Sequence, residues 1–315
     1  MIVTVTLNAA LDRTLTAPNF QIGFRHRASE SLTLPGGKGV NIARALKVQE
    51  QPVIATGLAG GKTGTRIVED LTTEGILNDF VRIKDESRTS TAIIDPTSNT
   101  QTEVNEYGPI VTARELQAFM EKLAYFARGA DVVILAGTLP RKVKDSLYRD
   151  IIKTLKESEV MTVLDVAGDS FRHAIKAGPD IVSPNINEAE ALIGHEFSDD
   201  ADFIDAARQL SRMGAGSGII THSGGCYAYF REGNGDGSAY KVTIPPLDPV
   251  STVGSGDCFL AGFVAAMLSG KSRADSLRHG VACGAASTQK YGAGVFDPHD
   301  ARRLISKARA EEQEV

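Results

Sequence analysis

No run of apolar residues in this sequence approaches the roughly 20 needed to span a bilayer, and the N-terminus lacks the pattern of a signal peptide. The expectation is a cytoplasmic protein without membrane contact. A basic surplus is also missing. With 34 Lys and Arg against 39 Asp and Glu, the formal net charge is -5, which argues against a nucleic-acid partner bound through its phosphate backbone. Cysteine is scarce: Cys226, Cys258 and Cys283 are odd in number, far apart and set among apolar neighbours. That pattern points to buried free thiols in a reducing compartment. With no CxxC and no His-x-x-x-His spacing, a structural zinc site lacks a ligand set.

What is present is an ordinary globular composition, 42% hydrophobic and 23% charged over 315 residues, enough chain for a large core. Ile2–Leu7 reads as a first strand and Val53–Leu58 as another, while 80–83, 90–94 and 102–106 read as strands without helices between them. From Thr112 onward helix and strand patterns alternate, which implies a mostly parallel sheet covered by helices on both faces. The polar strands near 28–34 and 90–106 do not suit that sheet and fit a small antiparallel flap beside a cleft. No repeat or long linker divides the chain, so one domain over 1–315 is expected, with a small β lid from about 13–34 and 88–107. The charged tail 302–315 reads as a solvated helix end or frayed terminus.

Two glycine turns run into helices. Gly254-Ser255-Gly256-Asp257 precedes an apolar helix closed by Gly270, and Gly36-Gly37-Lys38-Gly39 precedes the stretch to Leu46. Free amides and a positive dipole end at such starts suit an anion. Asp257 can be read as a helix cap or as a base that accepts a hydroxyl proton while the amides hold opposing charge. Lys38 reads as a helix-start lysine with its charge in water. A third glycine turn, Gly60-Gly61-Lys62-Thr63-Gly64, is not a P-loop, because the spacing demands glycine where Thr56 stands. A tight turn before a helix over 65–74 accounts for it. The first strand is not followed by G-x-G-x-x-G, which sets aside a dinucleotide fold. Of the histidines, only His222 falls near a candidate nucleotide turn.

Taken together, Gly36-Gly37-Lys38-Gly39-Val40-Asn41-Ile42-Ala43-Arg44, Pro184-Asn185-Ile186-Asn187-Glu188 and Thr252-Val253-Gly254-Ser255-Gly256-Asp257 resemble, in this order, the signatures of PfkB (ribokinase-like) carbohydrate kinases. The opening Thr6–Asp12 and Thr102–Glu106 resemble the branch acting on phosphorylated hexoses. The resemblance implies a ribokinase-like three-layer α/β/α sandwich with a β lid, and phosphorylation of a ketohexose monophosphate by ATP with Mg²⁺. It implies Asp257 as catalytic base and Gly254, Ser255 and Gly256 as the anion hole. It implies Asp12, Gly37 and Asn41 as sugar contacts, Arg25, Arg27 and Arg88 as cations for the substrate's own phosphate, and Thr138 as a small hydroxyl residue at the cleft. Asn185, Thr221, Ser223 and Gly225, with Gly254 and Gly256, are implied on the nucleotide side, and Glu188 at the metal, through water. Exposed lid strands offer edges through which a homodimer could pair, and the sequence leaves the oligomeric state open. A kinase of an unphosphorylated sugar or nucleoside, or a non-catalytic sensor on the same scaffold, are the competing readings.

Overall fold

The computed structural model describes residues 1–233 and 237–314. Strands β1 (Ile2–Thr6), β2 (Ala10–Thr16) and β3 (Glu30–Gly36) come first, followed by helix α1 (Lys38–Val48). Next are β4 (Val53–Gly60), α2 (Gly61–Thr73), β5 (Leu77–Ile83), β6 (Arg88–Asp95), β7 (Thr100–Asn105) and α3 (Ala113–Ala127). The middle of the chain holds β8 (Val132–Ala136), α4 (Leu147–Lys156), β9 (Met161–Asp165), α5 (Gly168–Ala174), β10 (Ile181–Val182), α6 (Ile186–Ile193) and α7 (Asp200–Arg212). It ends with β11 (Ser217–His222), β12 (Gly225–Phe230), β13 (Ser238–Thr243), α8 (Ser255–Leu268), α9 (Arg273–Ser287), α10 (Pro298–Ile305) and β14 (Arg309–Gln313).

Ten strands form the large sheet in the order β14-β13-β12-β11-β10-β9-β8-β1-β4-β5. β1 sits inside it, parallel to both β4 and β8, and all five of its residues are buried, as a strand covered on two faces requires. Its side chains alternate between two cores. Ile2 belongs to the core that contains Val40 and Ile42 of α1 and Leu260 and Phe263 of α8, whereas Val3 and Val5 belong to the core that contains Phe119 of α3, Tyr148 of α4 and Leu210 of α7. The result is helix, sheet, helix in three layers.

The other strands form a four-stranded sheet, β3-β2-β6-β7. It is not purely antiparallel, because β2 runs parallel to β6. β2 itself, which the sequence does not show as a separate strand, carries Asp12 toward the cleft from this second sheet. Its burial pattern, with a single buried residue, explains why no apolar alternation marks it.

Two further local expectations change. Helix α2 starts at Gly61, so Gly61 and Gly64 lie inside it rather than in a preceding turn. The tail is not frayed: residues 309–313 form β14, paired antiparallel with β13 at the sheet edge. Its polar Arg-Ala-Glu-Glu-Gln composition suits an edge strand and hides it from a hydrophobic reading. The hairpin that the sequence 227–244 suggests, with a Gly/Asn turn at 233–238, falls partly outside the described residues. The three cysteines are buried and free, and no helix of the described residues is long and apolar enough to cross a membrane.

Candidate active site

A cleft of about 1000 Å³ lies between the carboxyl ends of the central strands and the four-stranded sheet, where open α/β sheets commonly place ligands. Gly254, Ser255, Gly256 and Asp257 line it from α8, Gly37 and Asn41 from the start of α1, and Asp12 and Arg88 from β2 and β6. Thr138, Asn185, Glu188, Thr221, Ser223 and Gly225 complete the expected set. Arg25 and Arg27 are outside this lining. They are exposed on the loop between β2 and β3, beside Ile22 and Phe24.

Gly254, not Asp257, is the N-cap of α8, with φ 77 and no side-chain cap among the described residues. A Cβ at Gly254 would lie 2.8 Å from Ala293 Cα, so both its conformation and its packing require glycine. Gly256 differs: a Cβ there would meet no described atom within 4 Å. The start of α8 is therefore open at Gly256, while the Ser255 amide donates to the Thr252 carbonyl at 3.3 Å.

Asp257 is 5% exposed. Burial and the neighbouring Asp165 charge push its carboxyl up from the usual range to about 7, against the opposing pull of Lys38 and of the Asn41 hydrogen bond. Asn41 Nδ2 donates to Asp257 Oδ2 at 2.8 Å, leaving Oδ1 for another proton. The buried Arg44 fixes that amide's direction: it donates to Asn41 Oδ1 at 3.4 Å, to the Ala293 carbonyl at 2.9 Å and to the Pro35 carbonyl at 2.6 Å. Its Nε donates to Glu74 at 2.6 Å.

On the opposite wall, burial raises the Asp12 pKa, offset in part by the Arg88 and Arg44 charges and by a hydrogen bond from the Gly37 amide. Arg88 Nε donates to the Asn8 carbonyl at 3.2 Å and its Nη1 to Ser90 Oγ at 2.9 Å, which holds the guanidinium beside Asp12. Asn8 Nδ2 donates to Thr138 Oγ1 at 3.1 Å.

The N-x-x-E stretch folds as a capping box. Asn185 Oδ1 accepts from the Glu188 amide at 2.9 Å, and Glu188 Oε2 accepts from the Asn185 amide at 3.0 Å. Glu188 thus serves its helix with one oxygen and faces the cleft with the other. That second oxygen is 3.4 Å from Lys38 Nζ, which also donates to Asp165 Oδ1 at 2.6 Å. The reading of Lys38 as a lysine with its charge in water is thereby overturned. Burial opposes the ammonium, but the Asp165 and Glu188 carboxylates outweigh it and hold the Lys38 pKa above its ordinary value.

At the β11–β12 end of the cleft, a Cβ at Gly225 would lie 1.8 Å from the Val242 carbonyl oxygen, and its φ of 146 also favours glycine, so the packing of β13 and the local backbone together account for that residue. His222 Nδ1 accepts from the Gly224 amide at 3.1 Å. Burial lowers the His222 pKa, and its ring stacks on Tyr227 at 5.4 Å.

Sequence reasoning passed over Asp165, Lys38, Arg44 and, from β7, Gln101 and Glu103, all of which line the cleft. Asp165 could have been found as the polar last residue of a parallel strand. The pairing of Lys38 across 127 positions left no local trace.

An α/β/α sandwich that opens a helix N-terminus into a cleft beside a buried acid has the makings of a phosphoryl-transfer enzyme, and this architecture is ribokinase-like. The chain belongs to the pfkB family of carbohydrate kinases, whose pattern matches residues 8–300; it is a phosphotransferase that works with ATP and a divalent cation. It is 30% identical over 312 residues to a 1-phosphofructokinase of Borreliella burgdorferi, covering 99% of each chain. It is 32% identical over 270 residues to a tagatose-6-phosphate kinase of Staphylococcus epidermidis, covering 85% of this chain and 86% of that one. Phosphofructokinase-2 from Escherichia coli, solved with substrates and products, superposes with a TM-score of 0.89 at 26% identity, over 97% of this chain and 98% of that one.

Proposed function

We propose that the protein phosphorylates a ketohexose monophosphate to the bisphosphate, using ATP with Mg²⁺, and that 1-phosphofructokinase activity is its principal reaction, with tagatose-6-phosphate kinase activity next. The observation that carries this reading is the pairing of a buried Asp257 with the open α8 N-terminus at one end of the cleft. A similarity to both kinds of kinase over most of the chain supports the substrate class.

In this reading the acceptor hydroxyl of the sugar lies against Asp257. Its oxygen forms a bond to the γ-phosphorus as the bond from that phosphorus to the bridging oxygen breaks, and the electron pair leaves with ADP. The hydroxyl proton passes to Asp257 Oδ1, the oxygen that Asn41 does not occupy. The amides of Gly254–Asp257 hold the negative charge on the moving phosphoryl group. Asp12 and Asn41 orient the sugar hydroxyls, Gly37 gives them room, and Arg88 faces the phosphate the substrate already carries. Asn185, Thr221, Ser223 and Gly225 border the nucleotide.

Among the described residues no group of three or more His, Cys, Asp or Glu is placed to hold a metal by itself. Mg²⁺ keeps several waters and takes one or two carboxylates, so the cleft-facing oxygen of Glu188 fits it. When bound, the ion neutralises charge on the nucleotide phosphates.

The four-stranded sheet is proposed as a lid on this cleft and as the contact of a homodimer. Every residue of β7 is exposed, and Ile22, Phe24, Val104 and Tyr107 are large exposed apolar side chains. Arg25 and Arg27 share that surface, so their part in substrate binding depends on it. A monomer in light scattering would rule this assembly out.

The function is tested by following ADP release with fructose 1-phosphate, fructose 6-phosphate, tagatose 6-phosphate and free fructose. The sugar phosphates should turn over at least about tenfold faster than fructose, with fructose 1-phosphate best. Equal rates on fructose and its phosphates would point to a kinase of free sugars, and no turnover at all to a sensor.

A further inference from the structure

Lys38 opens α1, whose first turn contains no acid. A cation there lies against the positive end of the helix dipole. Helix packing does not explain its charge either, since the buried residues of α1 run from Gly39 to Leu46. The ammonium is held by acids from other elements: Asp165 at the end of β9, 2.6 Å away, and Glu188 in α6, 3.4 Å away. Asp257 in α8, which lines the same cleft, adds its charge to theirs. The lysine side chain nonetheless keeps 34% of its exposure, while Asp165 keeps 6%, so its tip borders both the buried acids and the open cleft. A residue that contradicts its local context while converging with three acids at a cleft is placed for chemistry rather than folding.

We propose that Lys38 is a catalytic residue with two successive partners: the counter-ion of Asp165 and Glu188 in the nucleotide-free enzyme, and a ligand of the transferring phosphoryl group once the divalent cation arrives. This builds on the kinase reading above. The Glu188 oxygen that faces the cleft is the one nearest Lys38, and a hard divalent cation is drawn to that same oxygen. One oxygen cannot serve both cations at full strength, so metal binding weakens Lys38's hold. The released ammonium is a point charge with three donors on a flexible stem. Lys38 and Asp257, the acid that faces the attacking hydroxyl in the reading above, line the same cleft. The site is then neutralised before the nucleotide binds, and the same charge is available when the phosphoryl group moves.

Two variants and two readouts test this: Lys38→Met and Lys38→Arg, followed by Mn²⁺ titration of the nucleotide-free protein and by steady-state kinetics with ATP and fructose 1-phosphate. Lys38→Met should bind Mn²⁺ about fivefold or more tightly than the wild type, because the competing charge is gone. Its kcat should fall about 10²- to 10³-fold with the sugar-phosphate KM little changed. Lys38→Arg keeps the charge, so its Mn²⁺ affinity should stay at the wild-type value and part of the turnover should return. A lysine that merely clamps β9 and α6 to α1 predicts the opposite for the metal, weaker binding in Lys38→Met as the two acids drift apart. That result, or a kcat within about threefold of the wild type, overturns the proposal. If Lys38→Met does not fold, Lys38→Gln is read by the same two criteria. A wild type inactive on every sugar phosphate would sink the kinase reading instead, and the Mn²⁺ titration would still decide the counter-ion role.

Discussion

Two of the chain's three glycine-flanked helix starts look alike in sequence and differ in what occupies them. At α2, Gly60-Gly61-Lys62-Thr63-Gly64 turns its first amides onto a carboxylate already present: Glu86 accepts from the Lys62 amide at 3.2 Å and from the Thr63 amide at 2.5 Å. At α8 no described side chain caps the helix, and Gly256 faces open cleft. The dipole and the free amides are the same physical resource in both places. One is used internally to fasten a helix; the other is left free beside an acid. Glycine content therefore does not locate an anion site, whereas the absence of an internal partner does.

The largest effect is expected from Asp257→Asn, which keeps shape but cannot take the proton. Turnover should fall by about 10²- to 10⁴-fold with ADP affinity, measured calorimetrically, little altered; near-normal turnover would remove the base from the account. Next comes a matched pair of alanines. Gly256→Ala adds a methyl that meets no described atom within 4 Å, whereas at Gly64 the same methyl would lie 2.6 Å from the Ala59 carbonyl carbon. Gly256→Ala should leave the unfolding midpoint in place and lower kcat/KM for ATP about 10²-fold. Gly64→Ala should leave the rate at 25 °C in place and cost about 1–3 kcal/mol of stability. The comparison breaks if the two swap.

The pH dependence of kcat/KM is a smaller and separate probe. With its pKa pushed up to about 7, Asp257 must lose its proton before it can act as a base. The rate should therefore fall about tenfold per unit as pH drops below that value and level off above it. An acid limb near 4 would mean that the base is an ordinary exposed carboxylate. Smallest of all is Glu86→Ala, which uncaps α2. It should lower stability by about 0.5–1 kcal/mol, with no change in nucleotide binding.

The layered architecture was readable from the sequence because buried parallel strands such as Val132–Ala136 are continuous apolar runs, and α8 is an apolar helix bounded by glycines. β2 and β14 escaped for the opposite reason: they are polar strands whose pairing partners, not their composition, make them strands. The two glycine turns and the N-x-x-E stretch carried most of the cleft's geometry, since each is a contiguous segment at an element boundary. The Lys38–Asp165–Glu188 cluster and the Arg44–Asn41–Asp257 chain were not visible. They join residues far apart in sequence, and only the sheet order brings them together. Gly225 is the reverse case, a glycine assigned to the nucleotide that the packing of Val242 and the local backbone account for.

The most direct test of the contrast between the two helix starts is an NMR titration of protein labelled with ¹⁵N-glycine, using ADP, Mg²⁺ and aluminium fluoride as the mimic of a phosphoryl group in transfer. The amide resonances of Gly254 and Gly256 should shift strongly in the presence of fructose 1-phosphate while those of Gly61 and Gly64 stay still. Shifts at Gly61 and Gly64 with none at Gly254 and Gly256 would place the phosphate at the wrong helix and contradict the account.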